Sequence, residues 1–122
     1  MNDEFPYRRL AVYGKSKDYV KFIYELLCKF PIEERYALCD QLRRASVSIC
    51  SNIAEGVSRY SGKEEVHFIE MAYGSLNGTM CQLEIAFELN YINSQDVADA
   101  EMFYTAISRM LSGLRRSIIS RS

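Results

Sequence analysis

Several things are scarce in this sequence, and each absence narrows what the chain can be. Among 122 residues there is no tryptophan, two prolines and a single histidine, His67. One histidine supplies neither a second metal ligand nor a partner for acid–base work, so no metal and no catalytic centre is expected. No apolar run approaches the ~18–20 residues of a membrane helix, and no membrane association is expected. Charge of one sign is not in excess either: 15 bases face 16 acids, which leaves a net charge of −1 and no bulk attraction to polyanions. The four cysteines, Cys28, Cys39, Cys50 and Cys81, contain no C-x-x-C pair. Cys39 and Cys50 would share a helix face, but eleven residues at 1.5 Å rise put them roughly 16 Å apart, too far for a disulfide or a shared metal. They read as buried free thiols of a reducing compartment. The first ten residues, MNDEFPYRRL, begin with acids and lack the apolar core of a signal peptide, so the expected location is the cytoplasm. No phosphate-binding glycine loop or nucleophile motif is present, and no cofactor or small-molecule substrate is expected.

What is present is helical amphipathicity. Apolar positions recur at a 3.6-residue spacing through four segments, about 8–29, 32–58, 62–90 and 95–119, with short connections and no strand pattern. Phe30-Pro31 ends the first segment, because the residue before proline avoids helical backbone. Pro31 or Ile32 then starts the second, with Glu33 and Glu34 at its positive end. Ser61-Gly62-Lys63-Glu64 reads as a capping box for the third, and Ser94 as the cap of the fourth. Residues 1–122 therefore form one all-α domain, an antiparallel up-down-up-down four-helix bundle. Gly74 and Gly78 fall inside the third segment at about 1 kcal/mol each, a cost that a close helix crossing over the two small residues would offset.

The second segment is the organising one. Leu38, Leu42, Ala45, Ile49, Ile53 and Gly56 fall on one line of the wheel, with Cys39, Ser46, Cys50 and Val57 beside it. Arg43, Val47 and Ala54 lie on the far side, so the apolar-to-small surface exceeds what one core needs and implies burial against a neighbouring subunit as well. Arg44, Ser48, Asn52, Glu55 and Arg59 form a polar stripe, read with Arg43 as a seam that fixes register or a subunit contact. Arg43, set among Val47, Cys50 and Ala54, would need a partner carboxylate there.

Bases cluster at two places. Arg8, Arg9 and Lys15 lie early, with Lys17 and Lys21; Arg109, Arg115 and Arg116 lie late, with Arg121, while Glu84 to Glu101 holds five acids and no base. In an antiparallel bundle these two clusters share one end. Arg8, Arg9, Lys15, Arg109, Arg115 and Arg116 are the candidate phosphate contacts; the alternative is a solvated surface.

The ordered set QLRRASVSICSNIAEG (41–56), Leu10-x-Val12, Phe30-Pro31, Ala72 to Leu76 and Cys81-Gln82-Leu83 resembles the bacterial four helix bundle proteins encoded in intervening sequences of 23S ribosomal RNA, which are related to the accessory variability protein of diversity-generating retroelements. The resemblance implies a ring-like homo-oligomer, a homopentamer, acting as a non-catalytic adaptor for RNA, DNA or a nucleic-acid enzyme. The alternative is a protein-binding scaffold without a nucleic-acid role. Gly78 stands where that family has an acid. Helical ribonucleases of the HEPN class place a histidine four to six residues after an arginine, whereas seven residues separate Arg59 from His67, so that chemistry is not expected.

Overall fold

The computed structural model describes residues 5–121, so the acidic start at Asp3 and Glu4 lies outside the described residues. Four helices account for most of them: α1 (Ala11–Leu27), α2 (Leu38–Gly56), α3 (Gly62–Glu88) and α4 (Ser94–Arg121), with no strand among the described residues. Each helix packs on two others, α1 on α2 and α4, and α3 on α2 and α4, so the four stand at the corners of a square. The most extensive contact is α2 on α3.

The core follows the apolar periodicity. Ile23 of α1, Leu42, Ile49 and Ile53 of α2, Ile69, Leu76 and Leu83 of α3, and Ile107 and Leu111 of α4 are almost wholly out of water. On α1 the buried position of the last turn is Leu26, with Leu27 only partly covered. Phe87, next to the last residue of α3, is exposed.

Across the middle runs a polar link between diagonal helices. Thr79 donates to the Leu76 carbonyl at 2.6 Å, and the Tyr19 hydroxyl lies 2.8 Å from the Thr79 hydroxyl. With the threonine proton committed to its own helix, Tyr19 is the donor between them. Burial pushes the Tyr19 phenol up to about 12.

The ends of the helices show where local chemistry and tertiary contacts divide the work. Ser61 caps α3 as its motif implies, accepting from the Glu64 N–H at 3.1 Å. The other boundaries differ from the periodicity. Pro6–Arg9 is a short 3-10 turn and α1 starts only at Ala11. The second helix begins at Leu38 rather than at residue 32. Ile32–Glu34 forms a 3-10 turn, and the non-helical Ala37 (φ −120°, ψ −104°) separates it from α2. Glu34 explains the break: one carboxylate oxygen accepts the Leu38 N–H at 3.3 Å and the other accepts the Tyr91 hydroxyl at 2.8 Å. The Glu34 side chain thus receives the Leu38 N–H, and the regular helix starts only there.

The α3–α4 connection is equally defined. Asn90 adopts φ 64°, and the Tyr91 N–H reaches back to the Ala86 carbonyl at 2.9 Å, the left-handed termination that asparagine tolerates. Asn93, not Ser94, caps α4. Its side chain accepts from the Asp96 N–H at 2.8 Å, and the Asp96 carboxylate accepts from the Asn93 N–H at 3.0 Å. Lys29 closes on the same carboxylate at 2.8 Å, tying the end of α1 to the start of α4.

One glycine decides how closely two helices approach. A Cβ added at Gly56 would stand 3.0 Å from the Phe68 Cβ and 3.3 Å from the Glu65 carbonyl oxygen, so α2 and α3 meet backbone to backbone there. Gly74 and Gly78 do the reverse of what their spacing suggested. Nothing lies within 4 Å of a Cβ built on either, so no helix of this chain crosses over them.

Candidate functional site

The polar residues of α2 go to three directions. Ser48 shares a hydrogen bond of 2.9 Å with Ser75 of α3, and the Asn52 amide donates back to the Ser48 hydroxyl and carbonyl at 3.0 and 2.9 Å. These two lie between α2 and α3. Arg44 stands in water, paired at 3.1 Å with Asp40 one turn earlier. Glu55 pairs with Arg59, whose guanidinium covers the Phe68 ring at 4.6 Å. Arg43 points the other way and donates to the Arg35 carbonyl at 2.9 Å. Within this chain it bonds a carbonyl of the turn before α2. The stripe is therefore not one surface. Ser48 and Asn52 join two helices, Arg44 and Glu55 face solvent, and Arg43 braces the turn.

The six basic candidates lie on the turn before α1, the start of α1 and the later part of α4. Arg8 covers the Phe5 ring at 4.3 Å. The Lys15 ammonium lies 5.2 Å from the Phe103 ring centre, which places that turn of α1 against α4. Arg115 reaches across to Glu70 of α3 at 3.4 Å. Arg9, Arg109 and Arg116 are exposed. Arg121 lies 3.3 Å from the largely buried Glu65 carboxylate. Four bases of this region thus have assigned work within the bundle, while Arg9, Arg109 and Arg116 project into solvent.

The cysteines separate by environment. Cys39 is buried as expected, but Cys28, just past the end of α1, and Cys81, on the outward side of α3, are exposed. Burial pushes the Cys50 thiol up to about 11, with Lys17 pulling weakly the other way, so this sulfur is held as an unreactive thiol. No group of three or more metal-ligating side chains occurs among the described residues. His67 is exposed, its ring centre 5.6 Å from that of Phe68 in an edge-to-face arrangement, and Phe68 is the same ring that Arg59 covers. No described helix is long and apolar enough to cross a membrane.

The 23S rRNA-intervening sequence protein model matches residues 8–113, most of the chain. The chain belongs to the 23S rRNA-intervening sequence protein family. Its fold recurs in a crystal structure of a protein of unknown function from the S23 ribosomal protein family of Bacteroides thetaiotaomicron VPI-5482. The two agree with a TM-score of 0.76 at 22% identity, over 86% of this chain and 98% of that one. No curated protein matches. At that identity the likeness concerns the fold, and the family assignment rests on the match over residues 8–113.

Two features of this family member escape a reading of periodicity aimed at the core. The first is the knot of Lys29, Glu34, Tyr91, Asn93 and Asp96, whose members are scattered along the chain and meet only in the folded state. The second is the outward line of α3, from Met71 through Gly74, Gly78 and Ile85 to Leu89. The same 3.6-residue wheel that finds the core also finds this line, once the question asked of it is where charge is missing.

Proposed function

We propose that this chain is a non-catalytic, cytoplasmic adaptor, an antiparallel up-down-up-down bundle that assembles into a ring-like homopentamer and contacts RNA, DNA or a nucleic-acid enzyme. The order of the contacts supports the antiparallel topology: Glu70 meets Arg115 while Asn77 meets Tyr104, and Lys29 meets Asp96 while Lys15 meets Phe103. As one number rises its partner's falls.

The observation that carries the nucleic-acid reading is the uneven distribution of charge in a chain of net charge −1. Arg9, Arg109 and Arg116 project from one half, and the acids from Glu84 to Glu101 belong to the other. A basic end on an otherwise balanced protein attracts a phosphate backbone locally without binding it everywhere. The test is fluorescence anisotropy of labelled structured RNA and of duplex DNA, titrated at low and physiological salt. Binding should weaken steeply with salt. Arg116→Ala should weaken it more than Arg115→Ala, since Glu70 already neutralises Arg115. Flat curves at every salt would remove nucleic acid from the account. The pairing of Arg115 with Glu70 and of Arg121 with Glu65 favours the second reading, a protein-binding scaffold whose arginines serve the bundle itself.

A further inference from the structure

We infer that copies of this chain join through unlike faces, the uncharged outer line of α3 on one copy seating in the α1–α2 groove of the next. The inference rests on the self-assembly proposed above and names the two surfaces that would make it.

On α3, Phe68 and Ser75 face α2, while Glu70 and Asn77 face α4. Between these flanks runs the line Met71, Gly74, Gly78, Cys81, Ile85 and Leu89, about 27 Å long from first to last and without a charged side chain. Met71, Ile85 and Leu89 are each nearly half exposed, at 44, 46 and 48%. Two glycines inside a helix cost about 1 kcal/mol each. In this bundle nothing offsets that, because the space over both is open. A helix arriving from outside could approach at those two positions as closely as α2 approaches α3 at Gly56. Toward Leu89 the rim of this line is acidic, with Glu84 and Glu88 on the side toward α4, where Glu101 also stands, while Glu70 at its other end is paired with Arg115.

The occupant is argued from charge. The α1–α2 groove lies across the square from α3 and α4. Val47, 42% exposed, forms its ridge and borders two hollows of about 550 and 490 Å³. Their walls carry Tyr24 and Val20 as apolar surface and four bases, Lys17, Lys21, Arg43 and Arg44, against Asp18 and Asp40. A basic-rimmed apolar groove and an acidic-rimmed apolar line on the same chain complement each other, whereas two α3 faces would set carboxylates against carboxylates. Unlike faces repeat from copy to copy, and such a contact closes into a ring when the rotation allows.

The test uses two variants of the full chain, each altered where the isolated bundle has room. Gly78→Lys puts a charge on the α3 line, and Val47→Glu puts one on the groove ridge. Met102→Lys, on the exposed outer side of α4, is the control. Circular dichroism first establishes wild-type helicity for each, and light scattering after size exclusion then gives the mass. The wild type and Met102→Lys should share a mass that is a multiple of 14.1 kDa, and each face variant alone should fall to 14.1 kDa. Mixed in equal amounts, the two face variants should rise to at least twice that, since one contributes an intact line and the other an intact groove. A wild type at 14.1 kDa refutes self-assembly itself. A face variant that keeps the wild-type mass, or a mixture that stays at 14.1 kDa, overturns this pairing of faces and leaves self-assembly standing.

Discussion

Gly56→Ala tests the closest approach in the bundle, because two opposing magnitudes can be worked out beforehand. Alanine in place of a helical glycine gains about 1 kcal/mol from propensity and the narrower unfolded ensemble. Gly14 in α1 has nothing within 4 Å of an added Cβ and should show this gain undiluted. At Gly56 the new methyl would lie 3.0 Å from the Phe68 Cβ and 3.3 Å from the Glu65 carbonyl oxygen, whereas carbon atoms rest comfortably at about 3.5–4.0 Å. Neither neighbour is the end of a flexible side chain. Relief requires α2 and α3 to part by roughly half an ångström, which loosens the packing of Ile53 and Ile69 and the stack of Arg59 on Phe68. Overpacking of this kind costs about 1–3 kcal/mol, so the net change at Gly56 is a loss of up to about 2 kcal/mol. For a chain of this length 1 kcal/mol moves the melting temperature by about 3–5 °C. Urea denaturation followed by circular dichroism, at one fixed protein concentration, gives both values. Gly14→Ala should be more stable than wild type and Gly56→Ala less. If Gly56→Ala gains stability alongside Gly14→Ala, the α2–α3 crossing is not close and the reasoning fails.

Two further predictions concern the connection between α3 and α4. Burial of Asp96 disfavours its charge, but hydrogen bonds from Lys29 and the Asn93 N–H, with the lysine charge, outweigh it and hold the carboxyl below its ordinary value of 3.8. A lowered folded pKa contributes stability above the unfolded value and loses it as pH falls through the folded one, so denaturation at pH 7 should show Asp96→Asn about 1–2 kcal/mol below wild type, with the gap narrowing as pH falls below 3.8. Asn90 holds φ 64°, where glycine is free of strain, so Asn90→Gly should raise the urea midpoint and the β-branched Asn90→Val should lower it, each by an amount on the order of 1 kcal/mol.

How much of this was legible in the sequence depends on how far apart the deciding residues lie. Four helices and the apolar line of each are written in a 3.6-residue repeat, and the cap at Ser61 needs only Glu64 three residues on. The start of α2 was misplaced by six residues because Glu34 takes its role from Tyr91, 57 positions later, as well as from Leu38. The cap of α4 was misplaced by one, since Asn93 and Ser94 are equally good candidates until Asp96 and Lys29 close on one of them. Glycines show the limit most plainly. Gly56, Gly74 and Gly78 look alike in a helical segment, yet only Gly56 lies under another helix of this chain, and crossing points are properties of pairs of helices. Among the candidate site residues, the clustering of bases was visible, but the carboxylates that engage Arg115 and Arg121 come from α3 and were not.

The hydroxyl pair in the middle of the core has a consequence for how this sequence can drift. Tyr19 and Thr79 are sixty positions apart, and their fates are linked unequally. If Tyr19→Phe comes first, Thr79 keeps its bond to the Leu76 carbonyl and no polar atom is stranded. If Thr79→Val comes first, the Tyr19 hydroxyl is left fully enclosed with only the Met80 sulfur, 3.8 Å away and a weak acceptor, to receive its proton. The route from a polar to an apolar centre is therefore open in one order and steep in the other. A lineage that loses the threonine is expected to have lost the tyrosine hydroxyl before it.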